Sequence, residues 1–338
     1  MDFTLSEEQV LLRDTARTLL ARHCPITLVR AHMDDPSVAA ALWEHLREWT
    51  VLGDGPTTDL CVFLEECGRV LAPGPYFATT ALALPLARIA GLDLADGLSA
   101  GESTATVALA GASGEWRIND ETTKTFVLEA DRVDYVLAVD GSGRVDALAS
   151  SALPAPRRVG LIDSTRRVFE VDVADVSDLA GASGGSLGAD TDIDAWLARA
   201  TVALAAELLG TARWLLATAI DYAKQRVQFD APIGSFQAIQ HKLADCSLDV
   251  ERAASAVYYA AMCVDANDSD RHRAVHVAKA AAGRAAMHCA KDGMQVHGGI
   301  GYTWEHDLHL FIRRAYASEH LMGTSGWHHD RLADLILG

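Results

Sequence analysis

Two stretches of this sequence decide its fold and its chemistry: Arg226-Val227-Gln228-Phe229-Asp230-Ala231-Pro232-Ile233-Gly234-Ser235-Phe236-Gln237 and Gln295-Val296-His297-Gly298-Gly299-Ile300-Gly301-Tyr302. The first ends a long apolar, helix-periodic run with a polar turn that contains an arginine and a proline. An arginine can donate two parallel hydrogen bonds to a phosphate. The second places paired glycines after a glutamine and a histidine, so that backbone amides can approach a ligand that a Cβ would exclude. Together they predict a site for a large, phosphorylated, planar cofactor.

The composition limits the partners of this chain. With 338 residues, half of them hydrophobic, the chain can bury a large apolar core in one or two packed domains. A formal net charge of −17 argues against nucleic acid or an anionic membrane as the main partner. An anionic small molecule stays compatible with this charge, because a few arginines in a cleft set the local field.

The cysteines and the N-terminal region indicate the compartment. The six cysteines are scattered, with no CxxC pair and no His/Cys cluster at metal-ligand spacing, so the sequence predicts no metal site. Reduced, buried thiols suit a cytoplasm. The first residues lack the basic region and the apolar region that form a signal peptide. No segment is predicted to be long and apolar enough to span a bilayer. We therefore expect a soluble, cytoplasmic protein with no membrane partner.

Hydrophobic periodicity divides the chain into three parts. A helical period precedes a strand period, and a helical period then returns in four long segments and a short last one. The fold class is therefore α+β and mostly α: an N-terminal helical domain over 1–100, a small β domain over 101–185 and a C-terminal helical bundle over 186–338. Ser6 is predicted to cap the first helix, Asp140–Gly143 to form a hairpin turn, and Gly181–Gly185 to form a flexible linker. The four predicted strands are 104–109, 124–128, 135–139 and 167–173.

This order of elements and the two motifs resemble the acyl-CoA dehydrogenase family, and the resemblance covers essentially the whole chain. Further segments that look like the family are 1–14, 64–75, 301–305 and 313–315. The resemblance implies a C-terminal four-helix bundle that forms dimers or dimers of dimers, with FAD as the cofactor. It also implies oxidation of an acyl-CoA to the 2,3-enoyl-CoA: a glutamate removes the α-proton, and the β-hydrogen leaves as hydride. The electron acceptor would be an electron-transfer flavoprotein or a similar protein.

The same resemblance implies roles for the residues of the two motifs. In the family each FAD is shared: one chain holds the isoalloxazine ring, and its neighbour contributes the two motifs to the pyrophosphate and adenosine end. Carried over by position, Arg226 would pair with the pyrophosphate, with Gln228 and Phe229 on the adenosine side. Gln237 stands where the family has the glutamine of its Phe-Gln pair, and Asp230 stands where the family has glycine. The loop residues implied to contact the same cofactor are Gln295, His297, Gly298 and Gly299.

Both positions at which family members carry the catalytic base lack a carboxylate here. In most members the base directly precedes a Gly-Thr near the C-terminus, and Met322 holds that position. A thioether has no useful proton affinity. Other members place the base about seven turns before the motif arginine, a register that falls near Arg199 and Ala200. The family's tryptophan-led flavin segment of the β domain is not reproduced by residues 114–118 and 122–126 either.

These losses are selective, because the chain keeps what a neighbour lends to FAD and lacks what holds the ring and performs the chemistry. The first hypothesis is therefore the smaller, non-catalytic subunit of a heteromeric acyl-CoA dehydrogenase of α2β2 type. Its larger partner would carry the base and the flavin ring and bind most of the acyl-CoA. Heteromers of this kind in the family act on bulky acyl-CoA esters such as steroid side chains, so the resemblance suggests that substrate class.

Two alternatives stay open. Glu207 is the only acidic group inside an apolar stretch of the first bundle helix, and burial would raise its pKa as a base requires. This carboxylate would make the chain a self-sufficient homodimeric dehydrogenase, whereas a plainer interpretation pairs it with a neighbouring helix for structure. The other alternative is a redox-inactive scaffold protein of the same fold.

Overall fold

The computed structural model describes residues 4–174, 183–187 and 193–338. Within these residues helices both precede and follow a set of short strands, and the predicted mostly helical α+β class is confirmed. The chain divides into two compact units, one of Met1–Ile26, Cys61–Ala72 and Thr201–Gly338, the other of Thr27–Leu60 and Pro73–Ala200. The division into three domains at 1–100, 101–185 and 186–338 stays a prediction.

The first unit is helical and contains the bundle. Its helices, of which α4 and α7 lie in it only in part, are α1 (Glu7–His23), α4 (Thr57–Val70), α7 (Ile193–Gln225), α8 (Gln237–Asp265), α9 (Arg271–His297), α10 (Leu308–His320) and α11 (Ser325–Leu337). The four long helical segments and the short last helix that the sequence predicted are all present. The connections between successive bundle helices are short, as expected of an antiparallel bundle.

The start of α1 shows how local sequence sets a helix end. The Ser6 hydroxyl accepts a hydrogen bond from the Gln9 amide (3.2 Å), and the Gln9 side chain accepts one from the Ser6 amide (3.1 Å). This capping box satisfies two donors that the first helical turn leaves without partners. Glu7 and Glu8 add negative charge where the helix dipole favours it. The predicted cap is confirmed.

Two glycines let α4 and α7 approach each other closely within the first unit. A Cβ added at Gly210 would lie 1.9 Å from the carbonyl oxygen of Glu65, and one added at Gly68 would lie 2.0 Å from that of Glu207. No larger residue fits at such a crossing. The crossing fixes the position of Glu207 in the core of the unit.

Helix α7 corrects the expectation that no segment is long and apolar enough to span a bilayer. By length and composition it could cross a bilayer, with a mean hydropathy of 1.3 in its most apolar window. Of this window, 72% is buried inside the protein. Burial in the protein core is a sufficient reason for so apolar a helix.

The second unit contains short helices and two small sheets. Its helical elements are α2 (Ile26–Asp34), α3 (Ala39–Leu46), α5 (Leu84–Ile89), α6 (Ala95–Ser99) and a π-helical segment (Ala78–Ala83). Its strands are β1 (Ala105–Ala108), β2 (Thr123–Leu128), β3 (Tyr135–Val139), β4 (Arg144–Ala149), β5 (Arg157–Arg158), β6 (Val168–Asp172) and β7 (Ser183–Ser186). The sheets have the orders β1-β3-β4-β7 and β2-β6-β5, with β1 and β3 parallel and the other pairs antiparallel.

The sheets pack through a shared apolar cluster, to which β1 and β3 contribute from one sheet and β2 and β6 from the other. Its main members are Ala108, Val127, Val136, Phe169 and Val171. The four predicted strands are confirmed, and so is the hairpin turn, in which the Gly143 amide donates to the Asp140 carbonyl.

The predicted flexible linker is wrong over its described part. Residues 183–186 form β7 and pair with Arg144–Ala147 of β4. Gly181 and Ala182 lie outside the described residues. A glycine-rich segment can form a strand where a neighbouring strand offers free hydrogen-bonding groups, even though glycine weakens the strand.

Candidate functional site

The two motifs that the sequence singled out lie at the same end of the bundle. The ring of Tyr222, in the last turn of α7, stacks on His297, the last residue of α9, with ring centroids 4.4 Å apart. An apolar cluster below this pair joins the ends of α7 and α9 to the beginning of α8. Its members are Ala219, Ala223 and Val296, with Tyr222, Ile233, Ile239 and Leu243 packed against them. The arginine motif and the glycine loop are therefore neighbours in space.

The arginine motif is a tight β-hairpin. Strand β8 (Val227–Gln228) pairs with β9 (Ala231–Pro232), and the two residues between them, Phe229 and Asp230, have φ angles of 55° and 60°. Two consecutive positive φ angles define a type I′ turn, which normally selects Asn or Gly. Aspartate tolerates this left-handed conformation better than most residues. Asp230 therefore occupies the family's glycine position while the turn is kept.

The polar side chains of the motif are exposed. Arg226 is fixed through its backbone, since its amide donates to the Tyr222 carbonyl and its carbonyl accepts from the Ile233 amide, both at 2.8 Å. Within the described residues its guanidinium makes no ion pair. Gln228 and Gln237 are also exposed. An unpaired arginine beside exposed amides is available for an anionic ligand.

Phe229 is the most exposed large apolar side chain of the described residues, with 89% of its surface accessible. Among the residues that the structure describes, its one ring contact is an edge-on approach to Phe236, with centroids 6.2 Å apart. The structure thus places Arg226, Gln228 and Phe229 at one exposed hairpin, and Gln237 is the first residue of α8, which follows it.

The glycine loop begins where α9 ends. Gly298 has φ 61° and ψ −139°, a conformation that is essentially restricted to glycine. A Cβ at Gly298 or Gly299 would meet nothing within 4 Å. Nothing in the described chain therefore requires a small residue at Gly299, whose φ is not positive. The open space next to both glycines fits a group from outside this chain.

His297 differs from the other site residues because it is buried. Its Nδ1 lies 2.8 Å from the Gly293 carbonyl oxygen, so Nδ1–H donates and Nε2 is left as an acceptor. Burial lowers the pKa of His297, which favours this neutral form. Nε2 has no hydrogen-bond partner among the described residues. A buried polar atom of this kind usually has a partner, such as water or a ligand hydroxyl.

The structure shows what occupies the first position of the missing base. Met322 is buried in a left-handed conformation (φ 57°), and the Thr201 hydroxyl lies 4.0 Å from its sulfur. The next carbonyl, of Gly323, accepts a hydrogen bond of 2.8 Å from the buried ammonium of Lys279, whose pKa burial lowers to about 8. A carboxylate close to this turn, Glu319, accepts from the Ser325 amide at 2.7 Å and so caps α11.

The second position is occupied by a structural arginine. Arg199 donates to the Thr57 hydroxyl (2.9 Å) and to three backbone carbonyls, and Ala200 is fully buried. The three carbonyls belong to Leu52, Gly53 and Gly55, at 3.3, 3.0 and 2.9 Å. A guanidinium that ties a loop through four acceptors cannot remove a proton from a substrate.

Glu207 forms a buried ion pair with Arg314. The Arg314 guanidinium lies 2.8 Å from the Glu207 carboxylate, and the two side chains are 1% and 5% exposed. The pairing of Glu207 with a neighbouring helix matches the plainer of the two interpretations. Arg313, the neighbour of Arg314, instead lies over the Trp304 ring at 4.7 Å.

Several polar groups in and around the β-domain segments that do not reproduce the family's flavin segment have hydrogen-bond partners within this chain. The ammonium of Lys124 donates to the backbone and side-chain oxygens of Asn119 (3.0 and 2.9 Å). The Thr125 hydroxyl donates to the Gly111 carbonyl at 2.8 Å, and the Ala112 amide donates to Glu121 at 2.8 Å. The hydroxyl of Thr125 therefore has an internal partner.

One group of residues was missed by sequence reasoning. The ligand atoms of Cys246, His288 and Asp292 lie within 4.8 Å of one another, between α8 and α9. The sequence signal was the spacing of His288 and Asp292, four residues apart on one helix face. The third member, Cys246, lies 42 residues before His288 (288 − 246), so no local spacing predicted the group.

The helix–strand–helix order, with the arginine hairpin and the glycine loop at one end of the bundle, agrees with the architecture that the resemblance to the acyl-CoA dehydrogenase family implies. The family described as "Acyl-CoA dehydrogenase, C-terminal domain" matches residues 188–337. The protein IpdE2 of Mycobacterium tuberculosis, an acyl-CoA dehydrogenase, is 32% identical over 331 residues, which cover 94% of each chain. The chain belongs to the acyl-CoA dehydrogenase family, whose members are FAD-dependent oxidoreductases.

Two solved structures of similar proteins cover nearly the full length. A variant of the Tcur3481-Tcur3483 steroid ACAD is 26% identical, with 99% of both chains covered and a TM-score of 0.84. The ChsE4-ChsE5 complex from Mycobacterium tuberculosis is 25% identical, with 100% of this chain and 99% of that chain covered and a TM-score of 0.84. One of these relatives is thus a steroid acyl-CoA dehydrogenase, and the other is a complex of two named components.

Proposed function

We propose that this chain is the non-catalytic, FAD-bridging subunit of a heteromeric acyl-CoA dehydrogenase. One observation carries the proposal: the arginine motif presents Arg226, Gln228 and Phe229 to solvent, whereas neither base position has a carboxylate. Met322 and Arg199 occupy those positions, and both are held by contacts of their own. A larger partner chain would supply the base and hold the flavin ring.

The residues of this chain bind and orient the nucleotide end of the cofactor. The Arg226 guanidinium donates to the pyrophosphate, and Gln228, Phe229 and Gln237 border the adenosine. Gln295 and the backbone amides of the glycine loop donate at the same end, and the buried Nε2 of His297 accepts from a hydroxyl or a water. Bound FAD would supply the hydride acceptor for the partner's chemistry.

The exposure of Arg226 explains why a partner is needed for tight binding. An exposed charge pair is worth little, because water screens it. When a partner covers the hairpin, the same hydrogen bonds form in a medium of lower dielectric constant and strengthen. A hydrogen bond to a charged group then contributes about 1.5–3 kcal/mol, which is roughly 10- to 150-fold in affinity.

The assembly and substrate form part of the same proposal. The similarity to the ChsE4-ChsE5 complex supports an assembly of two different chains, for which we propose α2β2. The similarity to a steroid ACAD supports a bulky or steroid side-chain CoA ester, bound mainly by the partner. We further propose an electron-transfer flavoprotein or a similar acceptor and a cytoplasmic location.

The test is co-expression with a larger acyl-CoA dehydrogenase relative. The chain alone should be colourless, and the complex should be yellow with about one FAD per pair of chains. Arg226→Ala in the complex should weaken FAD retention roughly 10- to 150-fold, while Arg22→Ala, a change at an exposed arginine of α1, should have no effect. Full flavin occupancy and turnover by the isolated chain would refute the proposal.

The experiment also separates the alternatives. A self-sufficient homodimer would need Glu207 as its base, a role that the ion pair with Arg314 does not favour. In that case Glu207→Gln would abolish dye-coupled acyl-CoA oxidation with the flavin absorbance intact. A redox-inactive scaffold would contain no FAD in any assembly, and Arg226→Ala would leave the complex unchanged.

A further inference from the structure

The group of Cys246, His288 and Asp292 lies between α8 and α9, apart from the exposed hairpin. Cys246 is 1% exposed, Asp292 is buried and His288 is half-buried. Their ligand atoms, a sulfur, an imidazole nitrogen and a carboxylate oxygen, lie within 4.8 Å of one another. Thiolate, imidazole and carboxylate are the three side-chain ligands that zinc takes in proteins.

One distance within the group already matches a tetrahedral site. With bonds of about 2.0–2.3 Å, two donors of a tetrahedral zinc ion lie roughly 3.3–3.6 Å apart. The Nε2 atom of His288 and an oxygen (Oδ2) of Asp292 are already 3.4 Å apart. Both residues project from one face of α9, because they are four positions apart. The Cys246 sulfur lies within 4.8 Å of both ligand atoms and would move closer to them when an ion binds.

Neighbouring side chains orient the ligands. Nδ1 of His288 lies 2.8 Å from a carboxylate oxygen of Asp249, so Nε2 is the nitrogen free to bind a metal. A carboxylate behind a metal-binding histidine is the usual arrangement, since it fixes the ring and raises its basicity. Lys242 contacts the other oxygen of Asp292, Oδ1, at 2.8 Å and leaves Oδ2 available.

Ion pairing alone accounts for only part of this group. Lys242 neutralises Asp292, and Arg284 lies 3.3 Å from Asp249, so the carboxylates have partners without a metal. These pairs do not explain a fully buried thiol between an imidazole and a carboxylate, because a structural cysteine normally packs as a small apolar residue. A second thiol, Cys289, lies within hydrogen-bonding distance of Cys246.

We propose that Cys246, His288 and Asp292 bind one divalent transition-metal ion, with Zn²⁺ the best match for a mixed sulfur, nitrogen and oxygen set. Water completes the tetrahedron. The ion joins α8 to α9, and Asp292 is three residues before Gln295 of the glycine loop, since 295 − 292 = 3. The site therefore stabilises the helix end that carries the loop.

The experiment uses the full chain, alone or in its assembly, reduced and stripped of metal with a chelator. Titration with Co²⁺ should give visible d–d bands and a near-ultraviolet thiolate-to-cobalt charge-transfer band that saturate at one ion per chain. Added Zn²⁺ should abolish both bands. Cys246→Ser should remove the charge-transfer band, and His288→Gln should weaken binding at least tenfold. The control Cys263→Ser, which changes another buried thiol of α8, should leave the titration unchanged.

Three results would overturn the proposal. The first is the absence of saturable Co²⁺ bands in the reduced protein, and the second is persistence of the charge-transfer band in Cys246→Ser. The third is a disulfide between Cys246 and Cys289 in place of the metal, which a thiol count of the untreated protein would detect as two missing thiols. If Cys246→Ser does not fold, the wild-type titration and His288→Gln decide, because His288 is half-buried and its change is mild.

Discussion

Replacement of Glu207 by glutamine is the most informative single change. The carboxylate of Glu207 lies in the core of the first unit and pairs with Arg314 at 2.8 Å, with side chains 5% and 1% exposed. Glutamine keeps the size and a hydrogen-bonding oxygen but removes the charge. The change therefore removes the Glu207 charge from beside the buried Arg314 guanidinium.

The magnitude follows from this burial. Removal of one partner of a buried ion pair costs about 3–5 kcal/mol, because the remaining charge stays desolvated. With an unfolding entropy of about 2.1 cal/mol/K per residue, each kcal/mol shifts the Tm of a 338-residue chain by about 1.4 °C, so we expect Tm to fall by roughly 4–7 °C. An exposed pair gives the matched control: Asp334→Asn breaks the pair of Arg331 and Asp334, which is half-exposed and should cost less than about 1 kcal/mol.

The assay is thermal and urea denaturation of wild type, Glu207→Gln, Arg314→Met and the double variant Glu207→Leu/Arg314→Met. Each single change should destabilise strongly, and the apolar double variant should recover much of the loss, since it leaves no buried charge. The flavin-bridging role further predicts that the assembled enzyme keeps its kcat in Glu207→Gln below the lowered Tm. A variant with unchanged Tm and no turnover would show that Glu207 is a catalytic base and refute the reasoning.

Three further predictions follow from the site and its surroundings. Asp230→Gly should tighten FAD retention by the assembly a few-fold, because it removes a negative charge near the pyrophosphate, and should change stability by less than about 1 kcal/mol. Asp230→Asn should give the same tightening if the charge is the cause. Equal flavin retention in wild type and both variants would contradict this prediction. Gly298→Ala should cost about 1–3 kcal/mol of stability because of its φ and ψ, whereas Gly299→Ala should keep the stability and lose flavin, as measured by melting and by absorbance of the complex. Burial lowers the pKa of Lys279 in the folded protein to about 8, whereas a lysine in the unfolded chain has a pKa of about 10.4. Between these two values the unfolded chain binds more protons than the folded one, so the free energy of unfolding should rise with pH. Lys279→Met should flatten this rise, as measured by urea denaturation at a series of pH values.

Local chemistry made part of the fold predictable. Three kinds of feature depend only on residues that are close in sequence: the Ser6 cap, the strands with alternating or apolar runs, and the turn at Asp140–Gly143. The long bundle helices also have a strong 3.6-residue period. Such elements carry their own signal, and all of them appear in the structure.

Other features depend on residues far apart in sequence. Residues 183–186 form a strand only because β4 offers an edge, and the ion pair of Glu207 needs Arg314, which comes 107 residues later, 314 − 207 = 107. The turn of Phe229 and Asp230 lacks the glycine that usually identifies a type I′ turn. The group around Cys246 is formed by helix packing, which no spacing rule describes.

The hairpin tip has a practical consequence for work with this protein. Phe229 is almost entirely solvated, and the peptide bond that follows it lies in a two-residue turn at the end of two short strands. Chymotrypsin cleaves after such aromatic residues when the chain can enter its active site. Limited digestion would then cut the free chain after Phe229, and a bound neighbour that covers the tip would protect it, so the rate of nicking would report assembly without any assay of flavin or turnover.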